Sequence, residues 1–459
     1  MAYGHIIPSL DLSKALTQRN IKISIITTPG NASFIHKRIT KHPQIHLTEI
    51  PFPITEDLPK GCENTAQLPS MAFYIHFFLA TRKLQEPFRQ ILQQMSQSND
   101  LPICVISDFF FGWTLPICRE FGVPRLVFHG MGVFGLALSK TVWEHMPHLH
   151  VSSDTEPLNL PGLQLPFTVT RSDLSEMVRV PDHDDPFSRA ITEDGQYELD
   201  SWGVILNSFM ELEGPYLPCY ESFFVNGAKS WFLGPLMLYD PPANPVQPEN
   251  NMCAKLLTEH AMQKSVIYVA FGTQADMSDA QLDEVAFGLE MSGYPFLWVV
   301  RSKTWCTPNG LEERVKGRGL IMKEWVDQRW ALAHPAVAGF LSHCGWNSVL
   351  ESISEGVPVL AWPMIADQFF NAMIVVDGLG AGLSVAREGP ESFVGREAIC
   401  EGVREFMGGE KGENVRQRVK ELSRVARKAV QGGGSSYENL SRLLDQLVAT
   451  GLSNGLVLH

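Results

Sequence analysis

Two groups of residues in this chain could do chemistry, and they lie far apart in sequence. The first is the hexapeptide His343-Cys-Gly-Trp-Asn-Ser348. An apolar run before it, Val337–His343, reads as a buried strand. The segment behind it, Ser348–Ser354, is apolar at helical spacing (Val349, Leu350, Ile353) and closes on Gly356. A strand turning through Cys344-Gly345 into a helix offers unpaired N–H groups and a positive dipole end, which together suit a diphosphate. Asn347 and Ser348 add donors in the first turn, and His343 adds another at the strand end. Glu351 falls one turn beyond Asn347, on the same helix face, where a carboxylate accepts both hydroxyls of a ribose. The pattern points to a nucleoside diphosphate.

The flanks suggest what is attached to it. Trp325 is placed at the end of a strand over Gly319–Trp325, with a flat indole for a base to stack on. Asp367 and Gln368 follow the strand Val357–Trp362, at the carboxyl edge where open α/β sheets bind ligands. An acid beside an amide suits a polyhydroxylated group. The second group of residues lies near the chain start. Gly4-His5 precedes a helix whose inward side is Leu12, Ala15 and Leu16, and Asp108 closes the apolar run Ile103–Ser107.

The span Trp325 to Gln368 resembles the signature box of plant-type UDP-dependent family-1 glycosyltransferases. It reads W-V-D-Q-x5-H-P-A-V-A-G-F-L-S-H-C-G-W-N-S-x2-E-S-x3-G-V-P-x4-P-x3-D-Q. Gly4–Pro8, Val105–Asp108, Tyr268–Thr273 and Glu312–Arg318 follow the family's order, so the likeness runs over nearly the whole chain. The resemblance implies that Trp325 stacks on uracil, with a backbone contact at Val326. Gln328 and Glu351 would hold the ribose, while Thr273, His343, Asn347 and Ser348 hold the phosphates. Trp346, Asp367 and Gln368 would face the sugar. It also implies that His5 takes the acceptor's proton while Asp108 orients the ring, in a single inverting displacement. Gln at the last box position goes with glucose as donor. The expected acceptors are small lipophilic metabolites such as flavonoids, other phenolics or terpenoids, or their glycosides.

This chain departs from the family at two places. Val326-Asp327 stands where Ala-Pro is usual, which alters the helix start. Family members also place an apolar strand before the Gly-His motif, and three residues cannot supply it. A truncated chain is therefore expected, with neighbouring strands left unpaired and a weakened first domain.

The elements that must position these residues alternate between β-rich and amphipathic helical runs, the pattern of parallel sheets wrapped by helices. Strands are predicted at Ile21–Thr28, Ile103–Ser107, Arg125–Phe128 and Gly203–Asn207. Further strands are predicted at Ser265–Gly272, Phe296–Val300, Gly319–Trp325, Val337–His343, Val357–Trp362 and Ala381–Ala386. The fold class is α/β, of the GT-B type that the resemblance also implies, with two doubly wound Rossmann-like domains facing a cleft. Residues 1–234 form the acceptor domain, the Pro-rich stretch 235–250 the linker, and 251–435 the UDP-sugar domain. Residues 436–459 form a helix that crosses back, with a tail.

Composition sets the outer bounds. The 459 residues carry a formal net charge of −13, which disfavours nucleic acid and anionic membranes. No apolar run reaches the ~18 residues of a membrane span, and no signal peptide is legible. The 8 cysteines show no paired spacing and read as reduced thiols, so a cytoplasmic monomer is expected. No metal or cofactor is expected beyond the UDP-sugar co-substrate. Asp182-His-Asp184 is read as a solvated loop and His145–His150 as a loop without a ligand set. A dinucleotide oxidoreductase would need a Gly-rich loop after the first strand, which is absent. The alternative is a UDP-sugar binder or epimerase-like protein with little transfer activity.

Overall fold

The computed structural model describes residues 2–174, 185–240, 252–272, 277–302, 304–385 and 393–453. The chain divides into two compact units. The first comprises Met1–Lys140, Val180–Pro241 and Lys428–His459, and the second Thr141–Arg179 and Pro242–Arg427. This division differs from the expected one at two places. Thr141–Arg179 groups with the second unit, and the return to the first begins at Lys428, where a helix runs out at Ala429, and not at 436. The start of the expected linker is also anchored. Leu236 and Met237 form a buried turn, because an apolar pair there gains more from the core than from solvent. The rest of the expected linker, 241–250, lies outside the described residues, as do Asp182-His-Asp184 and the last residues of the tail.

The first unit holds six strands: β1 (Ile23–Thr27), β2 (Ile45–Glu49), β3 (Val105–Asp108), β4 (Arg125–His129), β5 (Gly203–Leu206) and β6 (Lys229–Phe232). β2 and β6 were not predicted, since Ile45-His-Leu-Thr-Glu and Lys229-Ser-Trp-Phe carry too many polar residues to read as buried runs. Strands β1 and β2 pair in a two-stranded parallel sheet, and β3-β4-β5-β6 form a separate four-stranded parallel sheet. Among the described residues β1 and β3 are thus each paired on one side only. Helix α1 (Tyr3–Thr17) packs Leu12 and Leu16 into a core with Leu126, Phe128 and Ile205. The C-terminal helix, Ser435–Ser453, enters that same core through Leu440, Leu443 and Leu447.

The second unit is built on one six-stranded parallel sheet in the order β12-β11-β10-β7-β8-β9. Its strands are β7 (Val266–Ala270), β8 (Phe296–Val299), β9 (Gly319–Met322), β10 (Val337–Ser342), β11 (Val359–Ala361) and β12 (Gly382–Ser384). Period-two alternation divides each strand between two cores. Ile267 and Val269 face one, with Trp298 and Leu341, while Tyr268 and Ala270 face the other, with Leu297 and Phe340. The strand order reverses between β7 and β10, so their carboxyl ends mark the switch point where doubly wound sheets take nucleotides.

Candidate active site

Within the first unit, His5 and Asp108 come together across 103 residues, with His5 Nδ1 2.6 Å from Asp108 Oδ2. His5 does not precede the helix as expected. It lies in the first turn of α1, which begins at Tyr3 because Ala2 already has the extended geometry of a cap. Asp108 ends β3, and its other carboxylate oxygen accepts the Phe110 N–H at 3.0 Å. Burial alone would raise the Asp108 carboxyl. The adjacent His5 ring, the hydrogen bond to it and the Phe110 N–H instead hold it below the ordinary carboxylate range. A carboxylate fixed at both oxygens fixes the imidazole in turn.

Within the second unit, β10 runs into the segment His343–Gly345, and helix α3 (Trp346–Glu355) follows, ending on left-handed Gly356. Helix α2 (Gln328–Ala333) lies upstream of β10 in sequence. Cys344 has φ +63°, strained for a side chain that is neither Gly nor Asn. Two bonds hold it there: its N–H donates to Ser342 Oγ at 3.1 Å, and its carbonyl accepts from Asn371 Nδ2 at 3.0 Å. The His343 ring packs against two glycines. A Cβ on Gly272 or Gly345 would stand 2.5 or 2.8 Å from its Nε2, so neither position admits a side chain without displacing the ring. Desolvation pushes His343 down to about 4, leaving it neutral at pH 7.

The other expected residues fall into two places around this loop. Gln328 Nε2 donates to Ser348 Oγ at 2.8 Å and to Glu351 Oε2 at 2.7 Å, so the expected ribose pair is in contact. Trp325 is 46% exposed and presents its ring with the Arg301 guanidinium 4.8 Å from the centroid. It does not close a strand as expected. β9 stops at Met322 and Trp325 lies three residues further, after the polar pair Lys323-Glu324. Val326 is buried in the core beside Trp330. Gln368 opens helix α4 (Gln368–Met373), and its Oε1 accepts from the Met364 and Ile365 N–H groups at 2.9 and 3.0 Å. Asp367 Oδ2 accepts from Asn371 Nδ2 at 2.8 Å. Trp346 is buried, 3% exposed. Thr273 lies outside the described residues.

The family model described as "UDP-glucoronosyl and UDP-glucosyl transferase" matches residues 243–392. Scopoletin glucosyltransferase of Nicotiana tabacum is 37% identical over 97% of this chain and 96% of its own. Among solved structures, UGT73P12 of Glycyrrhiza uralensis, complexed with glycyrrhetinic acid 3-O-monoglucuronide, superposes with a TM-score of 0.88 at 31% identity. That match covers 99% of this chain and 95% of the other. UGT2 of Phytolacca americana, complexed with UDP-2fluoro-glucose and pterostilbene, gives 0.79 at 27% identity, covering 97% of each chain. The chain belongs to the UDP-glycosyltransferase family.

The glycosyltransferase has the GT-B fold, and several residues that place its site were not singled out from the sequence. Arg125, 1% exposed, donates through Nη2 to the Asp108 carbonyl at 3.2 Å. Its other donors reach the hydroxyls of Ser107, Thr114 and Ser201 at 2.8–2.9 Å. A cation inside the otherwise apolar run Arg125–Phe128 was the available signal. Gly130 faces the His5 ring, since a Cβ there would lie 3.1 Å from His5 Cε1. Asn371 links the Cys344 carbonyl to Asp367, and its spacing of four from Asp367 could have marked it. Among the described residues no group of three or more His, Cys, Asp or Glu is placed to hold a metal ion, and no helix is long and apolar enough to cross a membrane.

Proposed function

We propose that this glycosyltransferase moves glucose from UDP-glucose to a hydroxyl of a small lipophilic plant metabolite, with inversion. The observation that carries the reading is the 2.6 Å contact between His5 Nδ1 and Asp108 Oδ2. With Nδ1 committed to the carboxylate, Nε2 is the nitrogen that takes the acceptor's proton. The oxygen attacks the anomeric carbon, the bond to the UDP oxygen breaks, and Asp108 stabilises the imidazolium that forms. The departing charge falls on the helix start at Asn347 and Ser348, with His343 at the end of the preceding strand; Thr273 is read as a further phosphate contact. Trp325 stacks on the uracil, the Val326 backbone contacts it, and Gln328 and Glu351 bind the ribose. Trp346, Asp367 and Gln368 bind the sugar.

Glucose is supported by Gln368. Its carbonyl is taken by the Met364 and Ile365 N–H groups, so the amide N–H2 is the end offered to an equatorial hydroxyl. An epimer with that hydroxyl axial leaves a polar group mispaired, at about 1–3 kcal/mol. The named acceptors of the relatives are small hydroxylated molecules, and Phe77, Phe78 and Phe110 in the first unit suit an apolar ligand. The site as read needs no metal and no cofactor, because the helix start supplies the charge stabilisation. We further place the enzyme in the cytoplasm as a monomer, and a net charge of −13 argues against a nucleic-acid partner.

The test is a panel of phenolic, flavonoid and terpenoid acceptors incubated with UDP-glucose, UDP-galactose or UDP-glucuronate and read by mass spectrometry. UDP-glucose should give a β-glucoside in at least tenfold excess over the other donors. A clear preference for UDP-galactose, or free glucose with no glycoside on any acceptor, overturns the reading.

A further inference from the structure

Helix α2 carries a cation at its second position, Arg329, to which the nucleotide site as described assigns no role. Its Nε donates to Glu351 Oε1 at 2.9 Å, and the two side chains are 20% and 9% exposed. The other oxygen of the same carboxylate accepts from Gln328 Nε2 at 2.7 Å. Two consecutive residues of α2 therefore grip one carboxylate on α3, one donor to each oxygen. Each carboxylate oxygen has two lone-pair directions, so one per oxygen stays open to a hydroxyl. The start of α2 is fixed in turn by Asp327, whose Oδ1 accepts the Arg329 and Trp330 N–H groups at 3.0 and 3.2 Å.

We propose that Arg329 is a positioning residue for the nucleotide ribose, acting through Glu351: it fixes the carboxylate's orientation and offsets its charge. The inference rests on the reading of Glu351 as the ribose acceptor. Two physical consequences set it apart from simple helix-to-helix packing. Glu351 lies one turn along α3 from Asn347 and Ser348, where the diphosphate is read to bind. An uncompensated carboxylate there repels the diphosphate through a partly desolvated path, and the guanidinium cancels that repulsion. An Nε–H to one oxygen and an amide N–H to the other also fix the carboxylate plane, so the open lone pairs are aimed before the nucleotide arrives. Lysine provides the charge but not the planar fork, so it satisfies the first requirement and only part of the second.

The experiment compares wild type, R329L and R329K by calorimetric binding of UDP and of 2′,3′-dideoxy-UDP, alongside steady-state kinetics. R329L should bind UDP about five- to twentyfold more weakly. Its KM for UDP-glucose should rise by the same factor, with kcat within about twofold. The dideoxy nucleotide, which cannot donate to Glu351, should lose no more than about threefold, that part reflecting charge alone. R329K should recover most of that loss and only part of the ribose-dependent one. R329L binding UDP like wild type overturns the proposal, and so does R329L losing both nucleotides equally with a lowered melting temperature. A wild type that binds neither nucleotide overturns the parent reading of the site as well.

Discussion

The two units place polar groups at strand ends by different means. In the second, β7 and β10 pair on both sides within one six-stranded sheet, and every residue of both strands is buried. The loop at His343–Gly345 departs from a backbone that is already rigid, and it can carry the strained Cys344. In the first, the strands are divided between a two-stranded and a four-stranded sheet, and no residue of β3 is fully buried. There Asp108 is fixed chiefly by what binds it: Phe110 N–H on the carboxylate, Arg125 on the carbonyl, His5 on the remaining oxygen. Where the sheet supplies less placement, buried polar side chains supply more. On the proposed reading, chemistry sits on the less continuous scaffold and nucleotide binding on the more continuous one.

The largest test of that division is removal of the proposed base, His5. His5→Ala should lower turnover on a weakly acidic alcohol acceptor by about 10²–10⁴-fold, with calorimetric UDP affinity unchanged. Retained turnover would break the assignment of chemistry to the first unit. Next comes the fastening of Asp108. Arg125→Leu deletes bonds to three hydroxyls and to the carbonyls of Asp108 and Tyr197 in a buried site, which should cost about 3 kcal/mol in denaturant unfolding. Turnover should fall about tenfold while UDP affinity holds. Arg125→Lys should recover little, because an ammonium cannot reach in the several fixed directions of the guanidinium.

The continuity of the second unit was legible because its strands are uninterrupted apolar runs. Phe296-Leu-Trp-Val and Val337-Ala-Gly-Phe-Leu-Ser are hydrophobic on both faces, as strands buried on both sides must be. The His343–Gly345 loop, proposed to take the diphosphate, was legible because glycine, a helix N-terminus and short polar side chains carry local signals. Other features were hidden for stated reasons. β2 and β6 are edge strands with polar residues, so periodicity is weak there. Arg125, Asn371 and Arg329 act through partners 17, 27 and 22 residues away, and such pairing is invisible without a fold. The dyad came from resemblance and not from pattern, since nothing local ties His5 to Asp108.

A smaller effect separates the two sheets directly. Amides on the β3 edge should exchange with deuterium at least tenfold faster than those of β7 and β10 under native conditions, since strands paired on one side open by local fluctuation. Mass spectrometry of peptides covering 103–110, 264–272 and 335–343 reads the difference. Equal protection would show that the open edge of β3 costs the first unit nothing.

The smallest expected effect concerns Asp327, where proline is usual in the family. Two chemistries can serve this one task. A proline there would start the helix through its fixed φ of about −65°, whereas Asp327 starts it by capping, accepting the Arg329 and Trp330 N–H groups. Asp327 already has φ −67°, so a proline ring fits its backbone. Asp327→Ala should remove the cap and cost about 1 kcal/mol, with KM for UDP-glucose rising about two- to threefold as the turn carrying Gln328 and Arg329 frays. Asp327→Pro should restore both to within about 0.5 kcal/mol of wild type, because it replaces a lost cap with lost freedom in the unfolded chain. Thermal melts and donor kinetics on the three proteins decide it. A proline variant as impaired as the alanine one would mean that the carboxylate itself, and not the start of the helix, matters to the nucleotide site.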